Sequence, residues 1–364
     1  MERRKVIVGM SGGVDSAVAA YLLREQGLEV VAVTLRSWEA DESRCCEIEA
    51  ARRTAEKLSL PFYPWNVSAA FQEKVIRPFV EEYLHGRTPN PCVECNRYVK
   101  WESLLHIADV MGAAFVATGH YAALKCFGGR YAAGTAKDKA KDQSYMLYRL
   151  TQEQLSRTML PLSDLTKAEV REIAAGIDPG LANKADSQEV CFVPDDDYAG
   201  FIAGEAGREV PGTGNFLDEN GTIVGRHNGI VHYTVGQRKG LGLAMGVPVY
   251  VKKICADRNE IIVGREEALY SHEILCDRVN FMRIPQPEEG ERINCRVKIR
   301  YHHAGHPARI EMAGQSRVRV TFDGKVKAAA PGQSAVFYDD DGFVLGGGII
   351  TETFGEDGRW KENH

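Results

Sequence analysis

The 364 residues contain no apolar run near the roughly 18 that a membrane-spanning helix needs. The charged N-terminus is followed by an apolar run only one strand long, too short for a secretory signal. A cytoplasmic protein is expected. Long-period repeats and low-complexity tracts are absent, which argues against solenoids and disordered scaffolds. Nine cysteines are scattered without an export signal, so reduced thiols, metal ligands or catalysis are favoured over a disulfide framework. Positive charge is not in excess: 45 Lys and Arg stand against 50 Asp and Glu, a net charge of −5. That argues weakly against nucleic acid, although phosphate recognition depends on local patches rather than on the sum.

What is present describes a soluble globular chain, 44% hydrophobic and 26% charged, long enough for two or three domains. Residues 5 to 120 repeat a strand–helix rhythm. Val6-Ile7-Val8 and Val30 to Leu35 read as buried parallel strands, Pro61-Phe62-Tyr63 opens a third, and Ala114 to Thr118 closes the series. In the first helix Val18, Tyr21 and Leu22 share a face. Glu47 to Leu58 and Ala69 to Leu84 read as further helices, the latter kinked at Pro78, with Cys45-Cys46 in a charged loop. The rhythm implies an α/β doubly wound parallel sheet, whose ligands bind outside the carboxyl ends of the strands. Thr166-Lys167-Ala168-Glu169 opens a helix with a capping box. Beyond about 205 the pattern changes to short β runs and turn signals such as Asn220-Gly221, suggesting a small barrel or sandwich. The tail after Phe354 reads as disordered.

The stretch Ser11-Gly12-Gly13-Val14-Asp15-Ser16 stands between the first strand and the first helix. A tight glycine turn and a helix start present unpaired N–H groups and the positive end of the helix dipole, a setting for phosphate. Asp15 would repel phosphate, so its carboxylate suggests a bound magnesium ion. The loop has neither the Lys of a Walker A motif nor the spacing of a Rossmann fingerprint. An ordinary Gly-rich turn is the plain alternative.

A second informative stretch is the loop Gly86 to Asn96, stiffened by prolines and carrying Cys92 and Cys95 before a helix. A thiol near a helix N-terminus is acidified and reactive. The pair could equally be two unrelated thiols; half a zinc site is disfavoured because no second CxxC or CxxH supplies the other ligands. Cys191, between Val190 and Phe192, alone reads as a buried small residue, and Cys126, Cys255, Cys276 and Cys295 read as packing. Arg296, Lys298 and Arg300, with Arg317 and Arg319, alternate with apolar residues; they form either a phosphate-binding face or the solvated outside of a sheet. Arg238-Lys239 stays open in the same way.

SGGVDS resembles the PP-loop of enzymes that split ATP into AMP and pyrophosphate. GRTPNPCVECN, ATGHY (117–121), KDQSY (141–145), Asp186-Ser187 with Cys191-Phe192, YTVGQRKGLG (233–242) and PGQSAVFY (331–338) follow in order. Together they resemble the bacterial tRNA-specific 2-thiouridylase family, to about residue 350. The resemblance implies a PP-loop catalytic domain of the adenine nucleotide α-hydrolase type over 1–204. A small β-rich central domain (205–274), a C-terminal tRNA-binding β-barrel (275–352) and a tail (353–364) would follow. It implies that ATP, with Mg2+, adenylates the 2-carbonyl oxygen of the wobble uridine, and that a persulfide sulfur then displaces AMP to give 2-thiouridine. Cys191 would be the persulfide carrier and Cys95 the second nucleophile, the two forming a transient disulfide. ATP would bind Gly9, Met10, Ser11, Gly12, Gly13, Val14, Asp15 and Ser16, with Leu35 and Gly119. Asn90, Pro91 and Cys92 would meet the target base. His120, Lys141, Asp142, Gln143, Arg300, Tyr301 and Gln333 would contact tRNA. Expected partners are the anticodon arms of tRNAs for Lys, Glu and Gln and a sulfur-donor protein such as a cysteine desulfurase or relay, acting on a monomer.

Some family members carry Asp where this chain has Cys92, and its acid–base duty does not transfer to a thiol. Three thiols, Cys92, Cys95 and Cys191, would instead suit a [4Fe–4S] cluster that accepts sulfide, an alternative route to the same product. Two further readings remain: a PP-loop synthetase or amidotransferase acting on a small molecule, and an RNA-binding module with a vestigial nucleotide fold. The first needs neither CxxC nor Cys191; the second has no need of an intact Asp15 with both serines.

Overall fold

The computed structural model describes residues 4–37, 43–184 and 190–355. In chain order the first half runs β1 (Lys5–Gly9), α1 (Val14–Glu25), β2 (Glu29–Arg36), α2 (Ser43–Lys57), β3 (Phe62–Asn66), α3 (Ser68–Phe71), α4 (Arg77–Leu84), α5 (Pro91–Cys95) and α6 (Trp101–Val110). There follow β4 (Phe115–Ala117), the hairpin β5 (Ala123–Phe127) and β6 (Arg130–Gly134), α7 (Gln152–Ser156), β7 (Thr158–Met159), α8 (Lys167–Ile177) and α9 (Pro179–Ala182). The second half comprises α10 (Tyr198–Glu205), β8 (Gly214–Leu217), β9 (Ile223–His227), β10 (Tyr250–Cys255) and β11 (Glu260–Gly264). It ends with β12 (Tyr270–Phe281), β13 (Arg292–Lys298), β14 (His306–Met312), β15 (Val318–Lys327), β16 (Ser334–Tyr338) and β17 (Val344–Phe354).

The chain forms two compact units, each assembled from separated stretches. The first takes Met1–Val75, Cys92–Gln188 and Gly342–Leu345; the second takes Ile76–Pro91, Glu189–Asp341 and Gly346–His364. The first holds a five-stranded parallel sheet in the order β3-β2-β1-β4-β7, with β1 central. Val6, Ile7 and Val8 are fully buried, as a strand covered on both faces must be. The face of α1 that packs inward is carried by Ala17, Val18, Ala20 and Leu23. Tyr21 and Leu22, expected to share that face with Val18, are only partly buried, because small alanines let the helix approach the sheet first.

The second unit holds a four-stranded sheet, β10-β11-β8-β9, and a closed barrel, β12-β15-β14-β13-β16-β17. Strict alternation builds the barrel: Val297, Ile310, Val320 and Phe337 are fully buried, while Arg296 and Arg319 point out. The Asn-Gly signal forms the β8–β9 turn, where Gly221 has φ +83 and Asp218 accepts the Asn220 and Thr222 amides.

Four expectations are corrected. The 69–84 helix is broken not by a kink at Pro78 but by a π turn over Gln72–Ile76 just before it. Pro78 has no N–H to donate back to residue 74, so the wider turn precedes it and the proline sits in the first turn of α4. Cys45 and Cys46 lie on α2 rather than in a loop. Cys126 is exposed on the β5–β6 hairpin, not packed. Cys92 and Cys95 lie within α5 rather than in a loop before a helix, because Pro91 at its first position starts the helical turn early. Residues 185–189, including Asp186 and Ser187, and the tail from 356 lie outside the described residues.

Candidate active site

The PP-loop spans the gap between β1 and α1. Gly12 takes φ +74, and Gly13 caps α1 with no side-chain acceptor, leaving the first-turn amides without a side-chain cap. The serines brace each other: Ser16 Oγ accepts from the Ser11 amide at 3.2 Å and donates to the Gly13 carbonyl at 3.2 Å. Thr34 on β2 fixes the loop entrance by donating to the Met10 carbonyl at 2.7 Å, and Leu35 follows it, partly buried. Gly119, at the carboxyl end of β4, lies so close that a Cβ there would meet Asp15 C and Ser16 N at 2.6 Å. Close backbone approach is the reason for glycine at this point.

Three groups at this loop were not foreseen from sequence. Lys167 Nζ pairs with Asp15 Oδ1 at 2.6 Å. The Tyr121 hydroxyl donates to the same oxygen at 2.7 Å. Lys184 Nζ donates to the Gly12 carbonyl at 3.1 Å. Lys167 begins α8, whose predicted capping box is present, with Thr166 and Glu169 satisfying each other's amides. The Thr166 amide, then Lys137 and the Thr166 hydroxyl, hold the Glu169 carboxyl down at about 2. Two ammonium groups on a Gly-rich helix start make a setting for a polyphosphate. Asp15 could join those phosphates in holding a magnesium ion, the usual way this cation is bound.

His120 lies beyond Gly119. Its Nδ1 is 2.8 Å from Thr118 Oγ1, and its ring stands 5.5 Å from that of Trp101. Burial, then the charge of Lys100, pushes His120 down to about 3, so the ring is neutral at physiological pH. The turn 141–143 folds against the same stretch. Gln143 Oε1 accepts the Tyr121 amide at 3.0 Å, and the buried Asp142 carboxylate accepts the amides of Ala136 and Ser144. Lys141 is partly buried in the same turn.

Helix α5 carries Cys92, exposed, and Cys95, half-buried, neither in a disulfide. The residues after and between them fasten the helix. Arg149 donates to Glu94 Oε1, and its second nitrogen donates to the Tyr98 hydroxyl at 3.2 Å. Asn96, buried, donates to the Met146 carbonyl at 3.0 Å, and Arg97 to the Arg149 carbonyl at 2.6 Å. Burial works against the Arg149 charge, but Glu94 outweighs it and the net shift is upward.

The second unit holds Asn90, Pro91, Cys191, Arg300, Tyr301 and Gln333. Cys191 is exposed, against the expectation of a buried residue, and is a free thiol. Its neighbour Phe192 takes the buried place instead. That ring meets Phe79 of α4 edge-on at 5.1 Å and Phe201 of α10 at 5.3 Å. Gln333 donates to the Thr88 carbonyl at 2.8 Å. Arg300 is exposed, just past the end of β13, and Tyr301 packs its ring on His302 at 4.6 Å. Arg317 and Arg319 approach Glu352 and Glu273 at 3.9 and 3.5 Å, so part of the basic face is internally balanced. Burial pushes the Cys276 thiol up, and that of Cys295 to about 12, which makes both packing residues as expected.

The sequence matches three family models: a tRNA methyl transferase HUP domain over 4–195, a tRNA methyl transferase PRC-barrel domain over 200–265 and an aminomethyltransferase β-barrel domain over 271–350. A tRNA-specific 2-thiouridylase MnmA of Lachnoclostridium phytofermentans is 47% identical over 358 residues, covering 95% of this chain and 99% of its own. The MnmA of Clostridium perfringens is 47% identical, covering 96% and 99%. The chain belongs to the MnmA tRNA-specific 2-thiouridylase family. Among solved structures, a 4-thiouridine synthetase–RNA complex with bound ATP matches this MnmA-family chain at 19% identity and a TM-score of 0.35, over 52% of this chain and 45% of that one. An NMN synthetase from Francisella tularensis matches at 21% and 0.34, over 57% and 79%. Likeness that slight carries no argument. Among the described residues of this MnmA relative, no group of three or more His, Cys, Asp or Glu is placed to hold a metal ion. Of the three thiols that would carry a cluster, Cys92 and Cys95 lie in the first unit and Cys191 in the second. No described helix is long and apolar enough to cross a membrane.

Proposed function

We propose that this chain thiolates position 2 of the wobble uridine of tRNA, using ATP and a cysteine persulfide. The observation that carries the reading is the PP-loop itself: an uncapped helix start with Asp15, Lys167 and Lys184 gathered on it. ATP would lie there, with Gly9 to Ser16, Leu35 and Gly119 around it. Magnesium, held by Asp15 and the phosphates, would neutralise polyphosphate charge. Lys167 and Lys184 would hold the phosphates for in-line attack.

The uridine O2 attacks the α-phosphorus and pyrophosphate leaves. This converts a poor leaving oxygen at C2 into AMP. Cys191 arrives as a perthiolate, its outer sulfur supplied by a separate donor protein. That sulfur attacks C2 and AMP departs with the C2–O bond electrons. Cys95 then attacks the inner sulfur of Cys191. A Cys95–Cys191 disulfide forms, the old S–S bond breaks, and its electrons remain on the C2-bound sulfur as the thiocarbonyl. An external thiol later reduces the disulfide. The base must leave its stack to be reached, and Asn90-Pro91-Cys92 would stand beside it. Arg300, Tyr301, His120 and the 141–143 turn would meet the RNA. We also propose the division at 204, 274 and 352 into catalytic, central and tRNA-binding parts.

The test is thiolation of unmodified tRNA by the purified protein with ATP and a persulfide donor, scored for pyrophosphate and 2-thiouridine. Pyrophosphate released without tRNA, driven by a small substrate, would overturn the reading in favour of a synthetase.

A further inference from the structure

The segment Gly86-Arg87-Thr88-Pro89-Asn90 is a strap that leads into α5 and is fastened at both ends. At its start, Gly86 has φ +69, and a Cβ there would meet Ile254 Cγ2 at 2.6 Å. Arg87 returns to Glu82 of α4 through two side-chain bonds, at 2.5 and 3.1 Å, and through its amide, which donates to the Glu82 carbonyl at 2.9 Å. Glu82 is partly buried, and Arg278 of β12 approaches it at 3.6 Å.

The far end is held by the barrel. Prolines at 89 and 91 leave only Thr88 and Asn90 with amide hydrogens in the run 88–91. Thr88 spends both of its backbone groups on one turn of the barrel. Its N–H donates to the Pro331 carbonyl at 2.9 Å, and its carbonyl accepts from Gln333 Nε2 at 2.8 Å. A carbonyl can only accept, so the carboxamide nitrogen must face it. Between these two anchors Gly332, at φ +93, leaves no room: a Cβ would stand 2.8 Å from Thr88 N and 3.0 Å from its C and O. The turn is itself rigid, for Gly332 N donates to the Ile350 carbonyl and Ile350 N to the Gln333 carbonyl, at 2.9 and 2.8 Å.

We propose that Gln333 is a positioning residue for the reaction. Its carboxamide holds the strap against the barrel and so sets where Asn90 and Pro91 stand. This rests on the reading that Asn90 and Pro91 stand beside the target base. It differs from a direct contact between Gln333 and tRNA, because one hydrogen of the side-chain nitrogen is held by the Thr88 carbonyl and the role argued for is to anchor the strap.

The two roles separate on Gln333→Met, which keeps the length and removes the donor. Its Kd for unmodified tRNA should stay within about twofold, while the single-turnover thiolation rate at saturating tRNA falls at least tenfold, since misplacement by about 1 Å costs on the order of a hundredfold. Gln333→Glu, with a carboxylate facing a carbonyl, should fall as far. Gly332→Ala should match both, or fail to fold, and the Gln333 variants decide in that case. A raised Kd with an unchanged rate overturns the proposal and makes Gln333 a tRNA contact. An unchanged rate and Kd overturn it as well. Failure of the underlying reading shows elsewhere: Asn90→Ala would thiolate at the wild-type rate.

Discussion

Tyr121 and Lys167 meet on one oxygen of Asp15, at 2.7 and 2.6 Å. A carboxylate held by a neutral and a cationic donor is fixed in direction before any nucleotide arrives. Asp15→Ala should therefore abolish pyrophosphate release. Tyr121→Phe should slow it roughly tenfold, the worth of one hydrogen bond to a charged group. Lys167→Met and Lys184→Met should each slow it by about tenfold to a hundredfold if they bear on phosphate charge. Full-rate release in both lysine variants would remove them from the site.

The thiols should fail at a later step than the loop. Cys191→Ser and Cys95→Ser are expected to release pyrophosphate with tRNA and ATP yet form no 2-thiouridine. Loss of pyrophosphate release in either would contradict the division of labour. The persulfide route needs no iron, so wild-type protein stripped of iron should keep its full rate with a persulfide donor. An iron-dependent rate would reverse that conclusion.

Phe192 is the anchor that lets its neighbour Cys191 stand in solvent. Its ring is buried against Phe79 and Phe201. Phe192→Ala should cost about 3–5 kcal/mol by chemical denaturation. Phe192→Leu, which keeps most of the volume, should fold and show slower sulfur transfer with normal pyrophosphate release. Normal transfer by the leucine variant would show that Cys191 needs no such anchor.

His120 supplies a pH signature. Its folded value, about 3, lies below the ordinary 6.5, so between those values the unfolded chain binds the extra proton. Stability should be complete above about pH 6.5 and fall as the pH is lowered toward 3, with a slope up to about 1.4 kcal/mol per unit. Glu169, held at about 2, acts in the same direction but only below about 4.5. Burial also lowers His227, and pushes His303 down to about 4, so all three histidines add to the slope of the urea midpoints from pH 7 to 5, and His120→Gln should remove only the share of His120. An equal slope in the variant would assign it to another group.

The legible parts of this molecule were the local ones. A strand, a glycine turn and a helix start lie within some 20 residues, so the PP-loop and the parallel sheet follow from pattern. The barrel follows from alternation at residues such as Val297 and Val320. The partners of the loop were not legible: Lys167 and Lys184 stand 152 and 172 positions from the groups they bind, and no spacing rule spans such distances. Cys191 was misjudged in isolation because its apolar neighbours Val190 and Phe192 suggest burial, while the chain buries the phenylalanine and turns the thiol outward.

The bond from Gln333 to Thr88 closes a loop of 245 residues. A ribosome adding 5–20 residues per second needs roughly 12–50 s to travel that far. During that interval the strap and the start of α5 lack their barrel anchor, and Phe79 waits for Phe192 for a shorter time. The strap is thus among the last parts of a nascent molecule to be locked, and a chain that ends before residue 333 leaves the ribosome with Thr88 unfastened.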